Sequence, residues 1–143
     1  MWVNDDGGRQ AAGYKGQAGD CVTRAIAIAT SQPYQEVYDA LNGLAVTERT
    51  GKRKRGKSSA RTGVYRPTLR KYLMSLGWQW TPTMQIGQGC KVHLTAAELP
   101  GGNLIVSVSK HLVAVVDGVI HDTHDPSRDG TRCVYGYWTK PNA

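Results

Sequence analysis

Cys21 follows Gly19-Asp20 and opens an apolar stretch, and ninety positions later His111 begins a β-rich segment that closes on Asp122. A thiol, an imidazole and a carboxylate are the set that a cysteine nucleophile uses. The imidazole takes the thiol proton, the carboxylate fixes the imidazole tautomer, and the thiolate attacks a carbonyl carbon. Cys21, His111 and Asp122 are therefore the candidate catalytic residues.

Such a set works only if the chain folds to bring it together. After Cys21, the residues Val22, Ala25, Ile26 and Ala29 recur at i, i+3, i+4 and i+7, which predicts a helix with one apolar face. Asp20 is the expected N-cap, its carboxylate accepting from first-turn N–H groups. Cys21 then stands at the helix N-terminus, where the partial positive charge of the helix end favours thiolate over thiol.

Leu112 to Val116 and Val119 to Thr123 are β-rich runs separated by Asp117-Gly118, a strong two-residue hairpin turn. That turn pairs Val116 with Val119, Val113 with Asp122 and His111 with His124. Side chains 111, 113 and 115 then share a face with 120, 122 and 124, and His111 and Asp122 become diagonal neighbours. Asp125 lies beyond the paired region.

The stretches Gly19-Asp20-Cys21-Val22-Thr23-Arg24-Ala25 and Lys110-His111-Leu112-Val113-Ala114-Val115-Val116 resemble the nucleophile and base segments of papain-like cysteine peptidases. They are most similar to the small bacterial and phage-encoded members, including the bacteriocin-processing type. In that superfamily the third triad residue follows the base on the next strand, and in papain it precedes a small hydroxyl residue and an aromatic. Asp122-Thr123-His124 is similar, with His124 in the aromatic place, which favours Asp122 over Asp125. The pattern departs at the oxyanion glutamine, usually six residues before the cysteine. Lys15 stands there, and Gln17, four before Cys21, is the tentative oxyanion residue. The resemblance implies an α+β fold with helices first and an antiparallel sheet second. It also implies a thiol hydrolase acting on a peptide or isopeptide bond of a protein or peptide substrate, without a cofactor. A place in phage biology, aimed at a host or phage protein, goes with it.

Other chemistries compete. Cys90 and His93 are spaced C-x2-H, His121 and His124 are spaced H-x2-H, and Cys133 is near, so four metal ligands could be gathered. His121 and His124 have opposite parity on a strand, however, which sends them to different faces and argues against a shared metal. Trp78 and Trp80 share parity and read as core or cleft wall. A nucleic-acid-binding module with a merely structural Cys21 is one alternative reading, and a catalytically inactive papain-like binding protein is the other.

The 143 residues, 40% hydrophobic, suit a single domain spanning 1–143. No run reaches the length of a membrane helix, and Met1 to Asp6 lacks the basic and apolar parts of a signal peptide, so a cytoplasmic protein with no membrane partner is expected. Three cysteines, an odd number, argue against a disulfide framework and for a reducing compartment, with Cys90 a structural thiol. A second helix is expected from near Pro33, carrying Tyr34, Val37, Tyr38 and Leu41 and stopped by Gly43. A third opens at Pro67, carries Leu69, Tyr72, Leu73 and Leu76, and is closed by Gly77. Thr95 to Glu98 reads as a capping box on one turn, Asn103 to Ser109 as a strand and Cys133 to Trp138 as the last strand.

Charge is unevenly spread. Ten of the eighteen Lys and Arg fall between Arg49 and Lys71, with no acid among them. Residues 49–63 are almost without apolar side chains and are expected to form a flexible basic loop, while the wider stretch 49–71 offers a contact for an acidic partner or nucleic acid. Replacing Lys52, Arg53, Lys54 and Arg55 by Ser is therefore expected to leave the melting temperature and Cys21 reactivity unchanged. It should weaken binding to an acidic protein or to nucleic acid, with a loss that shrinks as salt rises.

Overall fold

Val22, Ala25, Ile26 and Ala29 are buried along one face of α1 (Cys21–Thr30) in a computed structural model that describes residues 1–16, 18–49, 56–85 and 87–141. Two further helices, α2 (Tyr34–Ala45) and α3 (Arg66–Ser75), pack beside it. Gly43 does not stop α2. Ala45 is buried and Leu44 packs on the core, and that burial outweighs the helix cost of a glycine, about 1 kcal/mol. Gly77, at φ 87°, follows α3 as expected.

The sheet has six strands: β1 (Trp2–Asn4), β2 (Gln79–Pro82), β3 (Asn103–Val108), β4 (His111–Val116), β5 (Val119–Asp122) and β6 (Val134–Thr139). Their spatial order is β1-β5-β4-β3-β6-β2. All neighbours are antiparallel except β1 and β5, which run parallel with Trp2 opposite Ile120 and Asn4 opposite Asp122. The fold class is α+β.

Asp117 and Gly118 take φ values of 48° and 81°, the positive values that a two-residue primed turn requires, and Gly118 spares the turn a side chain that would press on Ala96. The turn sets the predicted register: Val116 pairs with Val119, Val115 with Ile120 and Ala114 with His121. Alternation along the strands divides the core. Ile105, Leu112, Ala114 and Trp138 meet the helices, whereas Val106, Val113, Val115, Ile120 and Val134 meet Leu94 and Leu99 on the other face.

That second face is covered by a loop, and the loop is tied down covalently. Cys90 and Cys133 form a disulfide, and Val92 and Leu94 exchange backbone hydrogen bonds of 2.8 Å with the segment Arg132 to Val134. The expectation of three free thiols is thus overturned. Parity of the cysteine count says nothing of a pair when the third cysteine has another task.

The expectation of a flexible loop over 49–63 is also corrected for residues 56–63, while residues 50–55 lie outside those described. Ala60 is fully buried, its N–H bonded to Asn42 Oδ1 at 2.9 Å and its carbonyl to Thr23 Oγ1 at 2.6 Å. Glu48 accepts from the Ser58 backbone and from the hydroxyls of Ser58 and Thr68. Short polar side chains pin this segment, which a count of apolar residues overlooks. None of the described helices is long and apolar enough to cross a membrane.

Because the disulfide spans a separation of 43 residues and ties down the loop that carries Leu94 and Leu99, Cys133→Ser should lower the melting temperature by roughly 5 to 15 °C. Calorimetry of the variant and of the reduced protein checks this. An unchanged melting temperature in both would show that Leu94 and Leu99 hold the loop unaided.

Candidate active site

Cys21 is the first residue of α1, His111 the first of β4 and Asp122 the last of β5, so the three come from element ends that meet at one side of the sheet. His111 Nε2 lies 2.6 Å from Asp122 Oδ2. The Cys21 thiol shares one cleft with Leu112 and with His111, whose remaining ring nitrogen is Nδ1. All three sequence-predicted residues are therefore assembled. Asp125 is not among them: it is exposed and accepts from Ser127 N–H at 3.0 Å. His124 leans on His111, with ring centroids 5.2 Å apart. Gln17 lies outside the described residues, and Lys15 contributes only its carbonyl, which accepts from Arg9.

The residue that sequence reasoning missed is Arg24. Its buried guanidinium donates to Asp122 Oδ1 at 3.0 Å, to Thr123 Oγ1 at 2.8 Å and to Asp20 Oδ1 at 3.0 Å. Asp122, only 4% exposed, thus has one oxygen on the imidazole and the other on a cation. A charged side chain inside the apolar run 21–29, four residues after an acid, was the available signal.

Asp20 departs from its predicted role. It makes no side-chain cap, because its oxygens are taken by Arg24, by Arg9 Nε at 3.1 Å and by the Tyr34 hydroxyl at 2.6 Å. The first-turn N–H groups of α1 are therefore not consumed by a capping carboxylate. Gly19 lets this segment pass the Thr62 carbonyl, which a Cβ there would approach to 3.0 Å.

Electrostatics follow from this packing. Burial opposes ionisation of Cys21, but the hydrogen bond and charge of His111, the Leu112 N–H and the Arg24 guanidinium bring its pKa below the ordinary thiol value. Burial likewise opposes charging of His111, and hydrogen bonds to Asp122 and Cys21, with the charge of both, push its pKa up to about 9. For Asp122, burial is outweighed by His111, the Thr123 N–H and Arg24, so the carboxylate stays ionised. The shifts of Cys21 and His111 both act toward a thiolate–imidazolium pair.

Cys21, Arg24, His111 and His124 line a cleft of about 500 Å³ with Thr62, Arg66 and Leu112. Among the described residues, one group has metal-ligand types in reach: the ligand atoms of His111, Asp122 and His124 lie within 4.8 Å of one another. Both Asp122 oxygens are already engaged and the Arg24 cation sits beside them, a poor setting for a dication. The ligand set considered from the sequence is split: Cys90, His93 and Cys133 meet, but both sulfurs are spent in the disulfide, while His121 is bonded to Asp5 at 3.0 Å and His124 lies against His111.

Comparison with protein-family models, with curated proteins and with solved structures finds no match to this chain.

Cys21 is the one free cysteine. Non-reducing alkylation at pH 6, where an ordinary thiol is under about 1% ionised, should label Cys21 rapidly and stop at one adduct per chain, as read by intact mass. His111→Ala should slow labelling at least tenfold at that pH, and an unchanged rate would remove the imidazole from the account of the thiol.

Proposed function

We propose that this protein is a papain-like thiol hydrolase that cleaves peptide or isopeptide bonds with a Cys21–His111–Asp122 triad. The observation that carries the reading is the 2.6 Å imidazole–carboxylate bond between His111 and the buried Asp122, with the Cys21 thiol lining the same cleft as the imidazole. The order of nucleophile helix, base strand and carboxylate strand supports it, as does the segment resemblance around Cys21 and His111. A mere structural cysteine has no need of an ionised partner, and here three charged groups are buried around one thiol.

The chemistry follows from the positions. The Cys21 thiolate attacks the carbonyl carbon, and the oxyanion that forms is held by the Cys21 N–H and the end of α1. The His111 imidazolium gives its proton to the leaving amine, and a thioester remains on Cys21. Neutral His111 then takes a proton from water as the water attacks the thioester, releasing a carboxylic acid and restoring the ion pair. Asp122 keeps His111 in the tautomer that presents Nδ1 to the sulfur, and Arg24 holds the Asp122 carboxylate in place. Protein or peptide substrates aimed at by a phage-encoded enzyme fit this reading.

Hydrolysis of a peptide library, followed by mass spectrometry with the Cys21→Ala protein as control, tests the proposal. Cleavage lost in Cys21→Ala and lowered roughly 100-fold or more in Asp122→Ala supports it, with Arg24→Ala falling in the same direction and Asp125→Ala near wild type. Activity should be present below pH 9 and fall as pH rises through about 9, because His111 then loses the proton that the leaving amine needs. Binding without turnover by both the wild type and Cys21→Ala would instead support an inactive scaffold.

A further inference from the structure

Next to the nucleophile cleft lies a second depression, about 330 Å³, floored by Leu69, Leu112, Trp80 and Trp138. The two are continuous, since Arg66, Leu69, Ser107 and Leu112 line both. The depression is built by the backbone. Gly136 on β6 stands under Trp80, where a Cβ would overlap the indole ring, so the glycine lets Trp80 lie flat against the sheet with its centroid 5.4 Å from that of Trp138. The result is an aromatic wall beside the proposed active site, with Trp80 part-exposed over the buried core residue Trp138.

The rim is charged in one sense only. Arg66 and Arg70, on the first turns of α3, border the depression, and neither has an acidic partner among the described residues. They end a stretch, 49–71, that carries ten cations and no acid. An apolar floor with an unbalanced cationic rim complements a large apolar side chain that has a carboxylate next to it.

We infer that the Trp80–Trp138 depression is the specificity pocket of this enzyme, taking an aromatic or long aliphatic side chain of the substrate while Arg66 and Arg70 bind an Asp or Glu beside it. The inference rests on the thiol-hydrolase reading and adds the substrate class, acidic peptide segments with an apolar anchor. Leu112 adjoins His111 in sequence, so an anchor seated on Leu112 lays the neighbouring peptide bonds toward Cys21. The nucleobase is the other flat ligand that two tryptophans accept, but a depression of about 330 Å³ with one part-exposed indole, Trp80, over the buried Trp138 has room for a single side chain and offers no row of rings for a stacked strand.

Peptidyl chloromethyl ketones test this without knowledge of the natural substrate, because they alkylate Cys21 at a rate that includes their recognition. Phe is placed one, two or three residues from the ketone, with Glu or Lys beside it, and each is compared with Ala in the same place. Iodoacetamide gives the intrinsic thiol reactivity of each variant for normalisation. In one register, Phe should accelerate labelling roughly tenfold to a hundredfold over Ala, the difference that burial of one large apolar side chain makes. Glu should exceed Lys by a factor that shrinks with salt. Trp80→Ala should erase the Phe preference, and the double variant Arg66→Glu, Arg70→Glu should reverse the Glu preference.

Equal normalised rates for Phe and Ala in every register would overturn the pocket, and so would protection of Cys21 by a single-stranded oligonucleotide but not by the Glu-Phe peptide amide. If iodoacetamide shows Cys21 to be an ordinary thiol, the hydrolase reading fails and the pocket is judged separately. Tryptophan fluorescence of the Cys21→Ala protein should then still respond to the Glu-Phe peptide amide and not to its Lys-Ala counterpart. No response would dismiss the pocket as well.

Discussion

Asp122 is a buried anion that cannot stand alone, and the way its charge is met organises the site. Ionisable groups alternate along a continuous path of His111, Asp122, Arg24, Asp20 and Arg9, and Cys21 stands beside its first member. Each buried ion would cost several kcal/mol unpaired, so each link is held by the need of its neighbours. The path crosses four separate segments of chain, the N-terminal loop, α1, β4 and β5. Tyr34 of α2 and the carbonyls of Lys15 and Gly16, held by Arg9, join it at the far end. Arrangement of the nucleophile is therefore inseparable from arrangement of the fold.

The division of labour between the sheet faces follows from the same geometry. Helices cover one face, and α1 runs so that its first residue reaches the start of β4. The opposite face is closed by chain with little regular structure, in which Leu94 and Leu99 supply the apolar contacts. Reactive groups sit only at the rim between the layers. There a helix start and the ends of two strands meet at one cleft.

Local patterns were legible where the chain folds on itself over short distances. The Asp117-Gly118 turn dictates the hairpin, so the His111–Asp122 meeting was readable from parity alone, and the i, i+3, i+4 spacing after Cys21 was enough for α1. Partnerships across long separations were not. Arg24 finds Asp122 98 positions away, and Trp2 donates from its indole to the Asp122 carbonyl across 120. Strand β1 is three exposed residues with no pattern to read, yet it pairs with β5 and steadies the end of that strand. Asp20 looked like a cap because the residue type is right for one. It became a charge partner because two guanidiniums and a phenol outbid the amides. Residues 56–63 misled for the converse reason, since polar composition suggested looseness where Asn42, Glu48 and Thr23 supply the fastening.

The disulfide sets two sulfur chemistries against each other in one small protein. Cys90 and Cys133 tie the cover of the sheet covalently only as an oxidised pair, whereas the chemistry proposed for Cys21 needs a thiolate. Any medium oxidising enough to keep the staple therefore also presses on the nucleophile, and any reductant strong enough to protect the nucleophile presses on the staple. What separates the two is spatial: the staple lies across the face of the sheet that Leu94 and Leu99 cover, while Cys21 packs on the helical side. With one free thiol and no cysteine left to resolve it, the first product of oxidation at Cys21 would be a sulfenic acid and not an internal disulfide.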